Sequence, residues 1–201
     1  STRSAQLSVE HQVLRKFICT PGIVQCLDGG YLEKRNGQRT YKLLLEYASE
    51  GSLSDLISKY GGEESIGIPE NHVRVYTRMI LQALSSIHSL SYVHCDIKPR
   101  NILAFPGSGE EGIRKLKVAD FGLAVETWKL IQGSHNKHRG TPRYVPPEVV
   151  VDGRVTPAMD IWALGCTVLE MLTREIPWTR LHDVEDVLME VRNGCRPEFP
   201  G

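Results

Sequence analysis

The sequence lacks paired cysteines. Its five, Cys19, Cys26, Cys95, Cys166 and Cys195, are odd in number, widely spaced and without a C-x-x-C motif. That pattern excludes a disulfide framework and a structural zinc site and points to a reducing compartment. Charge of one sign is also missing: 24 Lys+Arg balance 24 Asp+Glu, which argues against nucleic-acid binding through bulk electrostatics. There is no long hydrophobic run. The most apolar stretch, Ile161 to Leu169 between Asp160 and Glu170, is far shorter than the roughly 20 residues a membrane helix needs, and reads as a buried helix. No secretory signal or internal repeat is visible, and the absence of an initiator Met at Ser1 leaves room for a true start upstream. What is there is ordinary globular composition, 41% hydrophobic and 24% charged. With 201 residues it provides one large domain or two modest lobes.

The opening segment places Leu7, Leu14 and Ile18 on one helical face, with Ser4 as its N-cap. Glu10 falls on that same apolar face, where a carboxylate must snorkel to water or find a cation. Ile23 to Leu27 and Thr40 to Tyr47 read as an antiparallel strand pair joined through the Asn36-Gly37 turn. Ser52 and Asp55 have capping-box spacing ahead of a short helix that Gly61-Gly62 would stop. A longer helix begins near Pro69, with Val73, Tyr76, Ile80, Leu84 and Ile87 as its buried stripe. Short strands are expected at Tyr92-Val93, Ile102 to Phe105 and Leu116 to Ala119. Residues 121 to 156 read as a long irregular stretch, followed by helices over Pro157 to Leu172 and Asp183 to Arg192.

The chemistry-bearing region is His94-Cys95-Asp96-Ile97-Lys98-Pro99-Arg100-Asn101, with Asp120-Phe121-Gly122 following nineteen residues after Asn101. An acid, an amine and an amide share one loop, and a second acid sits at a strand end. Carboxylate and amide oxygens suit Mg²⁺, and a further carboxylate can orient an attacking hydroxyl, so the set fits metal-assisted phosphoryl transfer. A bare Asp-Phe-Gly is weak evidence; the two motifs at this spacing are strong evidence. Asp160, an acid within an apolar helix, is expected to accept hydrogen bonds from backbone N–H groups of that loop.

These motifs resemble the H-R-D-x-x-x-x-N and D-F-G patterns of the eukaryotic protein kinases. The likeness extends to Leu45-Glu46-Tyr47-Ala48 as a hinge, Gly140-Thr141-Pro142 with Pro146-Pro147-Glu148 closing an activation segment, and Asp160 to Gly165 as a central helix. The wording of Leu43 to Leu53, His94 to Lys98 and Asp160 to Cys166 is most similar to plant MAP kinase kinase kinases. The resemblance implies an α+β, bilobal kinase-like fold, with residues 1–48 as a partial N-lobe and hinge and 49–201 as a mainly helical, partial C-lobe. It implies ATP and Mg²⁺ as cofactors and transfer of the γ-phosphate to Ser or Thr of a protein, a MAP kinase kinase. No nucleic-acid or membrane partner is implied, and the location would be cytoplasmic, with the nucleus as a second compartment. Asp96 would be the base and Lys98 would steady the phosphoryl group, while Asn101 and Asp120 would hold Mg²⁺. Glu46 and Ala48 would present backbone groups to adenine and Leu103 would pack beneath it; the less favoured reading of Glu46 is a solvated strand-end acid. Thr141 would lie in the segment that receives the substrate, and Leu14, Cys26, His94 and Phe121 would form a hydrophobic spine.

The resemblance also has departures. The G-x-G-x-x-G loop and V-A-I-K lysine of the family are not found, and Glu10 occupies the position that pairs with that lysine. The family's last C-lobe helices are missing as well, along with the Arg that usually pairs with the acid at Glu148. The chain as given is therefore expected to be a truncated product with little or no activity, with the Glu10 helix loose or turned outward. The alternative function is a non-catalytic kinase-like binding or regulatory module. Cys95 stands where most kinases carry an Arg that binds a phosphate on the activation segment, so control by that route is not expected, although Thr127, Ser134 and Thr141 supply hydroxyls.

Overall fold

The computed structural model describes the backbone of residues 2–35, 38–60, 67–107, 112–131 and 139–198, and side chains over 6–28, 41–60, 67–107, 112–129 and 139–198. The expected turn at Asn36-Gly37, the helix stop at Gly61-Gly62 and Ser134 lie outside the described residues.

Helix α1 (Thr2–Leu14) runs into a 3₁₀ turn at Arg15–Phe17. Ser4 therefore lies inside the helix and is not its N-cap. The tighter turn also changes the phase: Phe17 is fully buried, whereas Ile18, expected on the apolar face, is 63% exposed. Glu10 and Leu14 are buried as the spacing predicts, Leu7 is only partly buried, and Val13 is buried beside them. The helix is docked inward against the 3₁₀ turn Phe121–Leu123, which overturns the expectation that it turns outward.

Strands β1 (Cys26–Arg35) and β2 (Gln38–Leu45) form an antiparallel ribbon with Arg35 opposite Gln38. The first strand starts three residues later than expected because Ile23 and Val24 pair elsewhere: Ile23 bridges Val118, and the Val24 N–H donates to the Val118 carbonyl at 2.9 Å. Gly22, at φ +77, makes that crossing possible, since a Cβ there would lie 3.1 Å from the Ala83 Cβ.

Helix α2 (Leu53–Lys59) begins with the capping box anticipated from the sequence: Asp55 N–H donates to Ser52 Oγ, and Asp55 accepts from the Ser52 N–H at 2.7 Å. Helix α3 (Glu70–Ser89) buries Val73, Tyr76, Ile80, Leu84 and Ile87, each at most 4% exposed. That stripe and the inward face of α1 share one core with Ile102, Val118, Phe121 and Leu164. Strand β3 (Tyr92–Val93), then β4 (Ile102–Phe105) and β5 (Lys115–Val118), follow α3, with β4 and β5 antiparallel.

The described residues of this stretch, 121–131 and 139–156, hold more regular structure than the Gly and Pro content implied. They contain β6 (Val125–Glu126), antiparallel to β3, and the helices α4 (Thr127–Ile131) and α5 (Pro147–Asp152), with 3₁₀ turns at Phe121–Leu123 and Pro142–Tyr144. Elements of two to six residues carry too little periodicity to be seen in sequence. Helix α6 (Pro157–Thr173) contributes Leu164 and Cys166 to the main core, while Val149, Met159, Val187 and Val191 build a second cluster beneath Cys95 together with α7 (Val184–Arg192). None of these helices is long and apolar enough to cross a membrane.

Candidate active site

The loop between β3 and β4 is fixed from below by one buried acid. Asp160, in the first turn of α6, has no exposed surface and accepts from the backbone N–H of His94 and of Cys95, each at 2.9 Å, while His88 Nε2 lies 2.8 Å away. These bonds hold Cys95 in a left-handed conformation at φ +69, costly for a residue with a Cβ. His94 is fully buried; its Nε2 lies 3.0 Å from the Ala119 carbonyl, and its ring stands edge-on to Phe121 at 4.8 Å. Burial lowers its pKa below the usual imidazole value, which favours the neutral ring.

On this support stands a closed hydrogen-bond set around Asp96. Lys98 Nζ donates to Asp96 Oδ2 and to Thr141 Oγ1, both at 2.7 Å, and Thr141 Oγ1 donates to Asp96 Oδ1 at 2.6 Å. Asn101 Nδ2 donates to the Asp96 carbonyl and to Oδ2, both at 2.9 Å. Because hydrogen bonds from two sides fix both carboxylate oxygens, Asp96 has a defined orientation although it is only 8% exposed. Thr141 is thereby brought onto both Asp96 and Lys98.

Asp120 follows β5 in a left-handed conformation at φ +62 and accepts from the Gly122 N–H. It shares a cleft of about 440 Å³ with Gln6, Leu7, Glu10, Asp96, Gly122 and Leu123. Glu10 enters from α1 and is 8% exposed, with no salt bridge among the described residues. It neither snorkels nor finds a cation: burial, and then the charge of Asp120, push its pKa up to about 7, against a hydrogen bond from the Phe121 backbone. At physiological pH a large share of the group is therefore neutral. A larger cavity of about 590 Å³ lies around Thr173, Trp178 and Arg180 and contains none of these residues.

The hinge residues sit apart from this acidic cleft, since Glu46, Ala48 and Leu103 are not in its lining. The reading of Glu46 as a solvated acid does not hold. Its carboxylate accepts from Lys117 Nζ at 2.6 Å and from the Gln25 N–H at 2.7 Å, while its own N–H donates to the Gln25 carbonyl. This locks the end of β2 to β5. The Ala48 carbonyl accepts from the Gly51 N–H in a turn, and Leu103, on β4, is half-buried and bridges Ser52. Among the proposed spine residues, Leu14, His94 and Phe121 are at most 2% exposed, and Cys26 is partly buried against the main core.

The donor set fits a hard divalent cation. Asp120 offers a carboxylate to the cleft, and Asn101, whose amide nitrogen is committed to Asp96, has its carbonyl oxygen left to coordinate; oxygen-only donors of this kind suit Mg²⁺. Sequence reasoning missed Lys117, His88, Arg139 and Arg143. Arg143 donates to the carbonyls of Pro177, Trp178 and Leu181 at 2.7–2.9 Å and ties the segment after Thr141 to the loop after α6. No local signal marks these residues, because their partners are remote in sequence and are in several cases backbone carbonyls.

A protein kinase domain profile matches residues 1–197. The chain is 38% identical over 199 residues to mitogen-activated protein kinase kinase kinase 20 of Arabidopsis thaliana, covering 98% of this chain and 55% of that protein. It is 36% identical over 196 residues to mitogen-activated protein kinase kinase kinase 3 of the same plant, covering 97% of this chain and 29% of that one. Against mitogen-activated protein kinase kinase kinase A of Dictyostelium discoideum the identity is 35% over 161 residues, 80% of this chain and 16% of that protein. The chain thus spans about half, or less, of the length of these relatives.

Proposed function

The chain belongs to the protein kinase domain family, and from that premise we propose that it is the catalytic region of a serine/threonine kinase that phosphorylates a protein, a MAP kinase kinase. Residues 1–48 then form the N-lobe part and hinge, and 49–201 the C-lobe part. The observation that carries the reading is the Asp96 set: a carboxylate fixed by Lys98, Asn101 and Thr141 and opening onto the same cleft as Asp120.

In this reading the substrate hydroxyl donates its proton to Asp96 as its oxygen attacks the γ-phosphorus. The bond from that phosphorus to the β–γ bridging oxygen breaks, and ADP leaves. Lys98, already 2.7 Å from Asp96, places positive charge where the transferring oxygens gather charge, and Thr141 holds both groups in register. Asn101 and Asp120 would hold Mg²⁺, which neutralises phosphate charge when bound. Glu46 and Ala48 would meet adenine through backbone groups, with Leu103 beneath the ring; the Glu46 N–H is already committed to Gln25, so its carbonyl is the group that serves. A cytoplasmic location, with the nucleus as a second compartment, fits the unpaired cysteines. The intact Asp96 network favours catalysis over a purely regulatory module.

The test is Asp96→Asn in the full-length protein. Transfer should fall by about 10² to 10⁴, as expected for loss of a general base, while ATP binding stays nearly intact. A variant that keeps more than half of wild-type turnover would refute the assignment.

A further inference from the structure

The 3₁₀ turn that follows Thr141 is held from two sides. Tyr144 is buried and donates its hydroxyl hydrogen bond to the Glu170 carboxylate on α6. Arg143, one residue earlier, reaches to the loop after α6: its Nη1 donates to the Pro177 carbonyl at 2.9 Å and to the Trp178 carbonyl at 2.7 Å, and its Nη2 donates to the Leu181 carbonyl at 2.7 Å. Three backbone carbonyls between residues 177 and 181 thus converge on one guanidinium. The loop that presents them is costly to form. Trp178 stands in the left-handed region at φ +63, which a residue with a Cβ rarely adopts, and its indole Nε1 is buried with no partner among the described residues. Backbone strain and an unmet donor, in a loop whose carbonyls converge on one cation, point to that cation as what the loop is shaped to hold.

We propose that Arg143 is a positioning residue: by anchoring the Pro142–Tyr144 turn to the 177–181 loop, it sets Thr141 on Asp96 and Lys98. This inference rests on the kinase reading above and adds to it a residue that touches none of the reacting groups. The turn and Thr141 move together, because the Tyr144 N–H donates to the Thr141 carbonyl at 2.8 Å. The Thr141 hydroxyl in turn donates to Asp96 Oδ1 at 2.6 Å and accepts from Lys98 Nζ at 2.7 Å. A single anchor at Tyr144 would leave the turn free to swing about that bond. Anchors on two consecutive residues, one to α6 and one to the loop beyond it, remove that freedom. Misplacement of a catalytic group by about 1 Å can cost about 10² in rate, so an anchor this close in sequence to Thr141 reaches the chemistry without touching the substrate. An arginine suits the role because its planar fork serves several acceptors in fixed directions, which a lysine ammonium does not.

The experiment combines a double-mutant cycle in phosphoryl-transfer kinetics with hydrogen exchange, both on the full-length protein. Arg143→Ala should lower kcat by about tenfold or more while KM for ATP stays within about twofold, because the nucleotide contacts are not moved. Thr141→Val should lower kcat as well, and adding Arg143→Ala to it should cost no more than about a further twofold, since the arginine acts through that hydroxyl. A merely structural role would instead give losses that multiply. Independently of activity, Arg143→Ala should reduce the protection of the Tyr144 amide, which donates to the Thr141 carbonyl, and of the Leu181 amide, which donates to the Trp178 carbonyl, by about tenfold each. If Arg143→Ala does not fold, Arg143→Lys takes its place in every arm, with the same changes to a smaller extent, because it keeps the charge and loses the fork. Unchanged protection at Tyr144 in the folded variant, or losses in kcat that multiply across the cycle, overturns the proposal. Loss of protection in a protein whose wild type transfers no phosphate supports the anchor and counts against the kinase reading instead.

Discussion

Replacing Glu10 by Gln should stabilise the protein at alkaline pH, the opposite of what removing a charged residue from an ion pair would do. The Glu10 carboxyl is 8% exposed, shares its cleft with Asp120 and has a pKa raised from 4.5 to about 7. In the unfolded chain it titrates near the ordinary value, so between those two limits the folded state binds the extra proton. Stability therefore falls as pH rises from about 4.5 to about 7 and levels off above that. At about 1.4 kcal/mol per pKa unit the full difference is about 3 kcal/mol, and partial access of water to the cleft reduces it to about 2–3 kcal/mol. A neutral amide at this position would carry no such penalty. Glu10→Gln should thus match the wild type near pH 4.5 and exceed it by about 2–3 kcal/mol at pH 8, roughly 4–12 °C in Tm. Urea unfolding followed by circular dichroism at intervals from pH 4.5 to 8 measures both curves. Glu170 is also raised by burial, and His94 is lowered, but both are common to the two proteins, so the difference between the curves isolates Glu10. Parallel curves would show that Glu10 is not the buried, unpaired acid described here.

Other perturbations probe the support of the site. Asp160→Asn should cost about 1–3 kcal/mol, because one of the His94 and Cys95 N–H groups then faces an amide instead of a carboxylate oxygen; chemical denaturation measures it, and an unchanged midpoint would contradict the role of Asp160 beneath the loop. Gly140→Ala should cost about 1–3 kcal/mol and disturb the Thr141 contact, since its φ is +100 and the new Cβ would lie 2.7 Å from a carbonyl oxygen; a thermal melt indistinguishable from the wild type would count against that close approach. Asp120→Asn should weaken Mg²⁺-dependent nucleotide binding, and superimposable Mg²⁺ titrations of mutant and wild type would contradict its assignment as a ligand.

The long elements were legible in the sequence because periodicity is a local property. The α3 stripe from Val73 to Ile87, the Ser52–Asp55 capping box and the apolar run of α6 all appear where their spacing puts them. Asp160 was legible for a different reason: an acid in an apolar helix must find donors, and the nearest free ones belong to the loop it carries. Ile18 misled because a change from α to 3₁₀ geometry at Arg15–Phe17 rotates the following residues by an amount the pattern does not encode. Glu10 was placed correctly on the buried face, but its third option, staying protonated, follows only from the nearness of Asp120 and the depth of the cleft. The lock of Glu46 on Lys117 joins residues 71 apart, and Arg139 finds its carbonyl sixteen residues upstream; tertiary structure alone brings these together.

The most direct measurement is phosphoamino-acid analysis of a generic protein substrate incubated with the full-length protein, Mg²⁺ and ATP labelled in the γ-position, with Asp96→Asn run in parallel. Label on serine and threonine with the wild type, and its loss with the mutant, is the predicted result. Label on tyrosine, or equal labelling by the two proteins, would contradict it.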